Sequence, residues 1–361
     1  MNKDKVLQPI KIKDVTLQNK IFFAPINTGY SFNGNPTKEL LKFHQIMSGK
    51  DIAISYVGNV AIGDLYATNN KTCYFNNDMI IWKEISDEIK RNGSIPGIQL
   101  GCRYSNITPI LKMNNSTNEI KDYIKNAQDE IKNISIEKIN EIVNLYKEKA
   151  IVAYDLGFNI VQIHAAHGYF LSLMISDVFN VRKDVYGLER VKVIRDIVRG
   201  ILKERPKIIL DVRISLVEGI KDEKEEIAYK FELIKDLVSM GISIISISNG
   251  IYNIDKKMIY PLKSESINKK VKYGVHLANR YPNIIWNLAG NMEKAILDKK
   301  DDLDNLTYSL GRQLLSDPFF IKKYKKNEID NIKKCLECNR CHYYSNGHES
   351  LTECINRKMK I

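Results

Sequence analysis

Short runs of β-branched and other apolar residues punctuate the chain at Ile21–Pro25, Ile52–Val60, Ile95–Gly101, Ile160–Ala166, Ile208–Ser215, Ile242–Ser248, Ile284–Gly290 and Leu306–Arg312. Between them lie stretches with apolar residues every three or four positions, such as Thr37–Ser48, Asp78–Arg91, Ile136–Leu156, Glu189–Glu204 and Glu223–Met240. That spacing is the stripe of an amphipathic helix, whereas runs apolar nearly throughout are strands covered on both faces. The alternation predicts βα units of a parallel sheet, and eight units fit a single (β/α)8 TIM barrel of the α/β class. Pro36-Thr37 and Ser135-Ile136-Glu137 place a proline or a hydroxyl at a helix start, where amides lack partners. Pro9 to Lys20 alternates apolar and polar residues around Asp14 and predicts an N-terminal hairpin plugging the bottom of the barrel. Residues 103–135, rich in Asn, Ser and Lys, show no clear period and are expected to form an insertion loop on the catalytic rim.

No fixed-period repeat or Gly/Pro/Ser-rich linker marks a second domain. The expected division is a barrel over residues 1–318, then a basic helix and cysteine-rich tail over 319–361, too small to fold without a metal. With 361 residues, 44% hydrophobic and 27% charged, the chain can bury a full core, which excludes a disordered or fibrous protein. The longest apolar stretches, Ile52 to Val60 and Ile284 to Ala289, stop short of the ~18 residues that span a bilayer. Residues 1–20 are interrupted by Lys3, Asp4, Lys5, Lys11, Lys13 and Asp14 and do not form a secretory signal, so a cytoplasmic protein is expected.

Charge adds little. Lys and Arg number 55 against 43 Asp and Glu, a net of +12, yet the lysines lie beside acids, as in Lys221 to Lys224 and Lys299 to Asp302. Only Lys322 to Lys326 and the C-terminus are sharply basic, which reads as a solvated surface rather than a nucleic-acid site. Attraction to a phosphate-bearing ligand is the lesser alternative.

Candidate chemistry collects where strands end, since barrel enzymes work at the C-terminal face. The fourth strand ends in His164-Ala165-Ala166-His167-Gly168-Tyr169. Imidazoles can donate to a carbonyl oxygen and a phenol can deliver a proton, a set suited to an electron-poor alkene. His-x-x-His lacks a third ligand at sensible spacing and is a weak metal motif. The seventh and eighth runs end in Gly290-Asn291 and Gly311-Arg312, where bare backbone and a guanidinium suit a phosphate. No Gly-x-Gly-x-x-Gly follows a strand, so a Rossmann site is not supported. Of six cysteines, Cys73 and Cys102 stand alone, while Cys335, Cys338, Cys341 and Cys354 crowd together. In a reducing compartment such a cluster suggests a metal, and its density fits four thiolates on zinc or on iron–sulfur.

Taken together, these motifs resemble the old yellow enzyme flavoproteins, in particular the FMN-barrel and iron–sulfur portion of the 2,4-dienoyl-CoA reductase branch. The resemblance rests on Leu7-Gln8-Pro9-Ile10 through Ala24-Pro25-Ile26-Asn27, on Ile163-His164-Ala165-Ala166-His167-Gly168-Tyr169, and on Asn180-Val181-Arg182-Lys183-Asp184-Val185-Tyr186-Gly187. It implies FMN lying along Pro25, Ile26 and Asn27, with Gly58 at its edge and Gln99 on its pyrimidine side. It also implies Arg213 near N1 and O2, and Gly290, Asn291, Gly311 and Arg312 around the phosphate. His164, His167 and Tyr169 match the carbonyl donors and the proton donor, and Cys335, Cys338, Cys341 and Cys354 match the ligands of a [4Fe-4S] cluster, the third cysteine coming one residue early. The loop after Tyr186-Gly187 is short, Cys102 stands where a histidine often follows Gln-Leu-Gly, and Tyr30 is displaced by Gly29. These departures bear on the substrate rather than the flavin.

The implied activity is reduction of the C=C bond of an α,β-unsaturated carbonyl compound, with electrons relayed through the cluster. In that branch FAD and NAD(P)H domains follow the tail, and here none follows Cys354 within the chain. An electron-donor protein is therefore expected, with NAD(P)H acting directly as the alternative and a homo-oligomer left open. An iron–sulfur amine dehydrogenase or demethylase is a second reading, although a cationic amine would want an aromatic bowl or carboxylates. A non-catalytic electron-transfer module is a third.

Overall fold

A computed structural model describes residues 4–76, 78–104, 116–262, 267–298, 303–341, 352 and 354. Eight parallel strands form the barrel: β1 Ile21–Phe23, β2 Ile54–Ala61, β3 Ile95–Gly101, β4 Ile160–Ala165, β5 Ile209–Ser215, β6 Ile244–Ser248, β7 Ile285–Ala289 and β8 Leu306–Leu310. Pairing of β8 with β1 and of β1 with β2, where Phe22 faces Ile54, closes the sheet. Helices Lys38–Met47, Ile80–Arg91, Ile136–Asp155, Lys192–Glu204, Glu223–Val238 and Ile267–Arg280 follow successive strands as the outer ring. Among the described residues no helix is long and apolar enough to cross a membrane.

The period of two along each strand builds the interior in layers. Ile54, Ile160, Ile209, Ile244 and Ile285 form an apolar floor, and Ile12 and Leu17 of the hairpin Ile10–Ile12/Val15–Leu17 pack against it. Two residues further along sit Tyr56, Gln162, Asp211, Ser246 and Asn287, a buried polar layer. Two further again come Gly58, His164, Arg213, Ser248 and Ala289 at the mouth. The same alternation that makes a strand therefore carries chemistry upward, from plug to network to site.

One expectation fails. Residues 103–135 are not simply a loop: a 17-residue helix runs from Thr117 to Asn133, while 105–115 lie outside the described residues. The Ser116 hydroxyl accepts from the Glu119 amide and the Glu119 carboxylate accepts from the Ser116 amide, a reciprocal cap for two orphan donors. Tyr123, Ala127 and Ile131 bury one face. Arg182 then donates to the carbonyls of Ile131 (2.7 Å) and Ile134 (2.5 Å), so part of the Asn180–Gly187 motif serves to clamp this helix end. Beyond β8, helix Phe320–Lys325 packs Phe320, Ile321 and Tyr324 inward.

Candidate active site at the barrel mouth

β4 and β5 align His164 beside Arg213, and β5 and β6 align Arg213 beside Ser246. His167 follows in the left-handed region (φ 64°) and Gly168 at φ 84°, a turn that brings Tyr169 back over His164 at 4.5 Å between ring centroids. A Cβ on Gly168 would strike Ile251 at 2.7 Å, so this return requires glycine. His164 and His167 meet edge to face at 5.0 Å. Burial, reinforced by the positive charge of Arg213, holds both imidazoles well below their ordinary pKa, so both are neutral. Ser248 accepts from Arg213 Nη2 at 3.2 Å and lies 2.7 Å from His167 Nε2. A guanidinium can only donate, so the Ser248 proton is free to point at Nε2 and leave the His167 proton on Nδ1.

The Tyr169 hydroxyl accepts from Asn59 Nδ2 at 3.3 Å and lies 3.1 Å from Thr68 Oγ1. Burial raises its pKa and keeps it protonated. Gly101 makes room for this arrangement, because a Cβ there would meet Asn59 Oδ1 at 2.1 Å. Over the same cluster lie Tyr252, 5.9 Å from His167 and 6.3 Å from Tyr169, and Tyr260, whose hydroxyl is 2.8 Å from that of Tyr252. Asn59, Thr68, Ser248, Tyr252 and Tyr260 escaped sequence reasoning. Only the aromatic spacing Tyr252…Tyr260 in the loop after β6 offered any signal.

Below the histidines the polar layer has a fixed direction. Asp211 Oδ2 accepts from Gln162 Nε2 (2.5 Å), Tyr56 (2.8 Å) and Ser246 (2.9 Å). With its amide nitrogen committed to the carboxylate, Gln162 presents Oε1 to Gln99 Nε2 at 2.5 Å. Gln99 is left with its own Oε1 as the outward acceptor, the polarity that a ring N–H needs. Burial pushes the Asp211 carboxyl up to about 6, against its hydrogen bonds and the nearby Arg213.

The residues expected along the flavin converge. Ile26 bridges Gly58, and a Cβ on Gly58 would lie 2.9 Å from Gln99 Cβ and 3.3 Å from Pro25 Cβ. Ile26 also approaches Gly311, at 3.6 Å from its would-be Cβ. Asn291 (φ 58°) and Arg312 both donate to the Pro261 carbonyl, at 3.2 and 2.6 Å, which brings the ends of β7 and β8 together. Asn27 donates to Thr72 at 3.2 Å. Among the described residues, buried Arg213 Nε, His164 Nδ1 and Asn59 Oδ1 find no hydrogen-bond partner. Orphaned buried polar atoms ringing one mouth fit a polar, planar cofactor that would satisfy them.

The tail packs against this mouth. Arg312 Nη1 donates to Asn339 (2.8 Å), Asn291 to Glu337 (2.6 Å), and the Cys335 amide to Gln313 (2.9 Å). Thr352 hydrogen-bonds Asn27 and Thr28, and the Tyr30 hydroxyl donates to its carbonyl at 3.1 Å. The expected cage of four thiolates is not assembled, for among the described residues no three His, Cys, Asp or Glu side chains are gathered to hold a metal. Burial raises the thiol of Cys335 and pushes that of Cys341 up to about 12, and the nearby Cys354 adds to both.

A parallel barrel whose mouth gathers glycine-lined backbone, a buried arginine and neutral histidines defines a class, the flavin-dependent barrel oxidoreductases. Residues 5–331 match the model of the NADH:flavin oxidoreductase / NADH oxidase family. The chain belongs to that family and is an FMN-dependent NAD(P)H oxidoreductase of the old yellow enzyme type. It is 28% identical to the NADPH dehydrogenase of Bacillus subtilis (strain 168) over 89% of this chain and 94% of the relative. Its fold matches the Old Yellow Enzyme from Pichia sp. AKU4542 (TM-score 0.69, 16% identity, 90% of this chain and 87% of that one). It also matches a 2-naphthoyl-CoA reductase (0.76, 17%, 98% of this chain) and histamine dehydrogenase from Rhizobium sp. 4-9 (0.78, 18%, 98%). The chain spans 57% and 52% of those two longer chains.

Proposed function

We propose that the protein reduces the C=C bond of an α,β-unsaturated carbonyl compound, an enone or enoyl thioester, with a nicotinamide as reductant. The observation that carries this reading is the convergence of neutral His164 and His167 with protonated Tyr169 at the end of β4. FMN, when bound against Pro25, Ile26, Asn27, Gly58, Gln99 and Arg213, supplies hydride chemistry at its N5. His164 and His167 donate to the substrate carbonyl, placing the alkene under Tyr169. Tyr169, oriented by Asn59, delivers a proton to the α-carbon, and its raised pKa makes it an acid that keeps its proton until the enolate forms. Arg213 contributes fixed positive charge where negative charge develops.

Charge favours this reading over amine oxidation. Tyr169, Tyr252 and Tyr260 do supply aromatic faces, and the fold match to histamine dehydrogenase keeps that alternative in view. Yet Arg213, the buried cation at the mouth, shows no ion pair with a carboxylate among the described residues, and it would repel a cationic amine while favouring an enolate. The relay of electrons through a cluster on Cys335, Cys338, Cys341 and Cys354 stands as a separate reading, to be decided by iron and sulfide analysis of anaerobically purified protein.

The test of the main reading separates the half-reactions. A positioned proton donor contributes about 10²–10⁴-fold, so Tyr169→Phe should slow flavin reoxidation by an enone by that factor while leaving reduction by NAD(P)H unchanged. Reoxidation at wild-type speed removes Tyr169 from the proposed role.

A further inference from the structure

Lys270 sits in the first turn of helix Ile267–Arg280, 6% exposed, and its ammonium is directed inward to the Ala289 carbonyl at 2.7 Å. Two physical costs attach to that position. A buried ammonium without a carboxylate in contact is expensive, and a cation in the first turn opposes the positive end of the helix dipole. Lys230, another lysine buried in an outer-ring helix, is ion-paired with Glu218 at 2.7 Å. Lys270 has no such pair among the described residues. It is also close enough to Arg213 and His167 for its charge to be felt at the mouth. Burial and the nearby Arg213 push its pKa down to about 7.

The position of the ammonium points to the anion it serves. Lys270 Nζ lies 2.8 Å from where a Cβ on Gly290 would be, at the bare end of β7 where Gly290 and Asn291 face the end of β8. We propose that Lys270 is a phosphate-binding residue of the flavin site, a buried counter-charge that makes the protein select FMN over flavins lacking a phosphate. This rests on the FMN reading above. It assigns to Lys270 a role that neither the strand-end motifs nor the polar layer contains.

The test compares FMN with riboflavin, which share the ring and ribityl chain and differ in the phosphate. Binding of each to flavin-free protein is followed by fluorescence quenching for wild type, Lys270→Met and Lys270→Gln. Loss of a buried charge-assisted contact should weaken FMN on the order of 10- to 100-fold. Riboflavin should bind all three proteins equally within about 2-fold, since it lacks the group addressed. The flavin-free variants should melt at or above the wild-type temperature, because an uncompensated buried charge has been removed. Unchanged FMN affinity, or equal weakening of FMN and riboflavin, overturns the assignment while leaving a flavin site in place. A wild-type protein that binds neither flavin refutes the FMN reading itself.

Discussion

Asp211 provides a test of the polar layer that does not depend on the reaction catalysed. Its carboxyl is raised from 3.8 to about 6 because burial outweighs the hydrogen bonds from Gln162, Tyr56 and Ser246. A folded-state pKa above the unfolded one means that the native protein holds this proton more tightly. The associated stability is fully present below about pH 3.8 and is lost as pH rises through 6. Two units at about 1.4 kcal/mol each give roughly 3 kcal/mol in all, of which about 2 kcal/mol falls between pH 4.5 and 7.5. Asp211→Asn cannot ionise and lacks this slope. At about 2.1 cal/mol/K per residue of unfolding entropy, the melting temperature of the variant relative to wild type should rise by about 2–3 °C across that interval. Melts in parallel buffers measure the difference, so whether the variant is more or less stable at one pH does not matter. Parallel profiles, or a relative rise toward acid, would refute a buried, proton-retaining Asp211 as the origin of the direction of the network.

Other expected outcomes concern the mouth and the tail. Replacing both His164 and His167 by Ala should weaken binding of a phenol, read from the flavin absorption, by roughly 10- to 100-fold, as two neutral donors at about 0.5–1.5 kcal/mol each imply. Arg312→Ala should lower FMN retention by about 1.5–3 kcal/mol and loosen the tail through Asn339, seen as slower-migrating proteolytic resistance being lost near residue 339. Cys338→Ala should leave FMN content unchanged, and should abolish iron in anaerobically purified protein if the tail carries the relay. Iron content equal to wild type in that variant removes Cys338 from any ligand set.

Sequence alone was enough for the barrel strands, whose period is local. The runs at 160–165, 209–215 and 244–248 are strands because isoleucine-rich alternation leaves no other way to bury them. In the structure that period of two sets Gln162 below His164 and Asp211 below Arg213, positions the sequence reading did not single out. The motif from His164 to Tyr169 was legible because its members are neighbours in the chain, joined by a turn that Gly168 permits. Helix Thr117–Asn133 was missed, because its Asn- and Lys-rich surroundings hid the Ser116 and Glu119 cap and the stripe of Ile120, Tyr123, Ile124, Ala127 and Ile131.

Closure of the barrel decided the rest. Asn59 reaches Tyr169 from 110 residues away, and Ser248 reaches His167 from 81. Those meetings depend on the stagger between strands, which no spacing within one strand encodes. Lys270 is one of several lysines, with Lys269 and Lys272, at the start of its helix, and only the packing of that helix on β7 buries it beside Gly290. The cysteine tail shows the same limit: its spacing supplied four thiols, but ligation requires them to be brought within bonding distance of one point as thiolates. That is a property of the folded arrangement and its local dielectric, not of the order of residues.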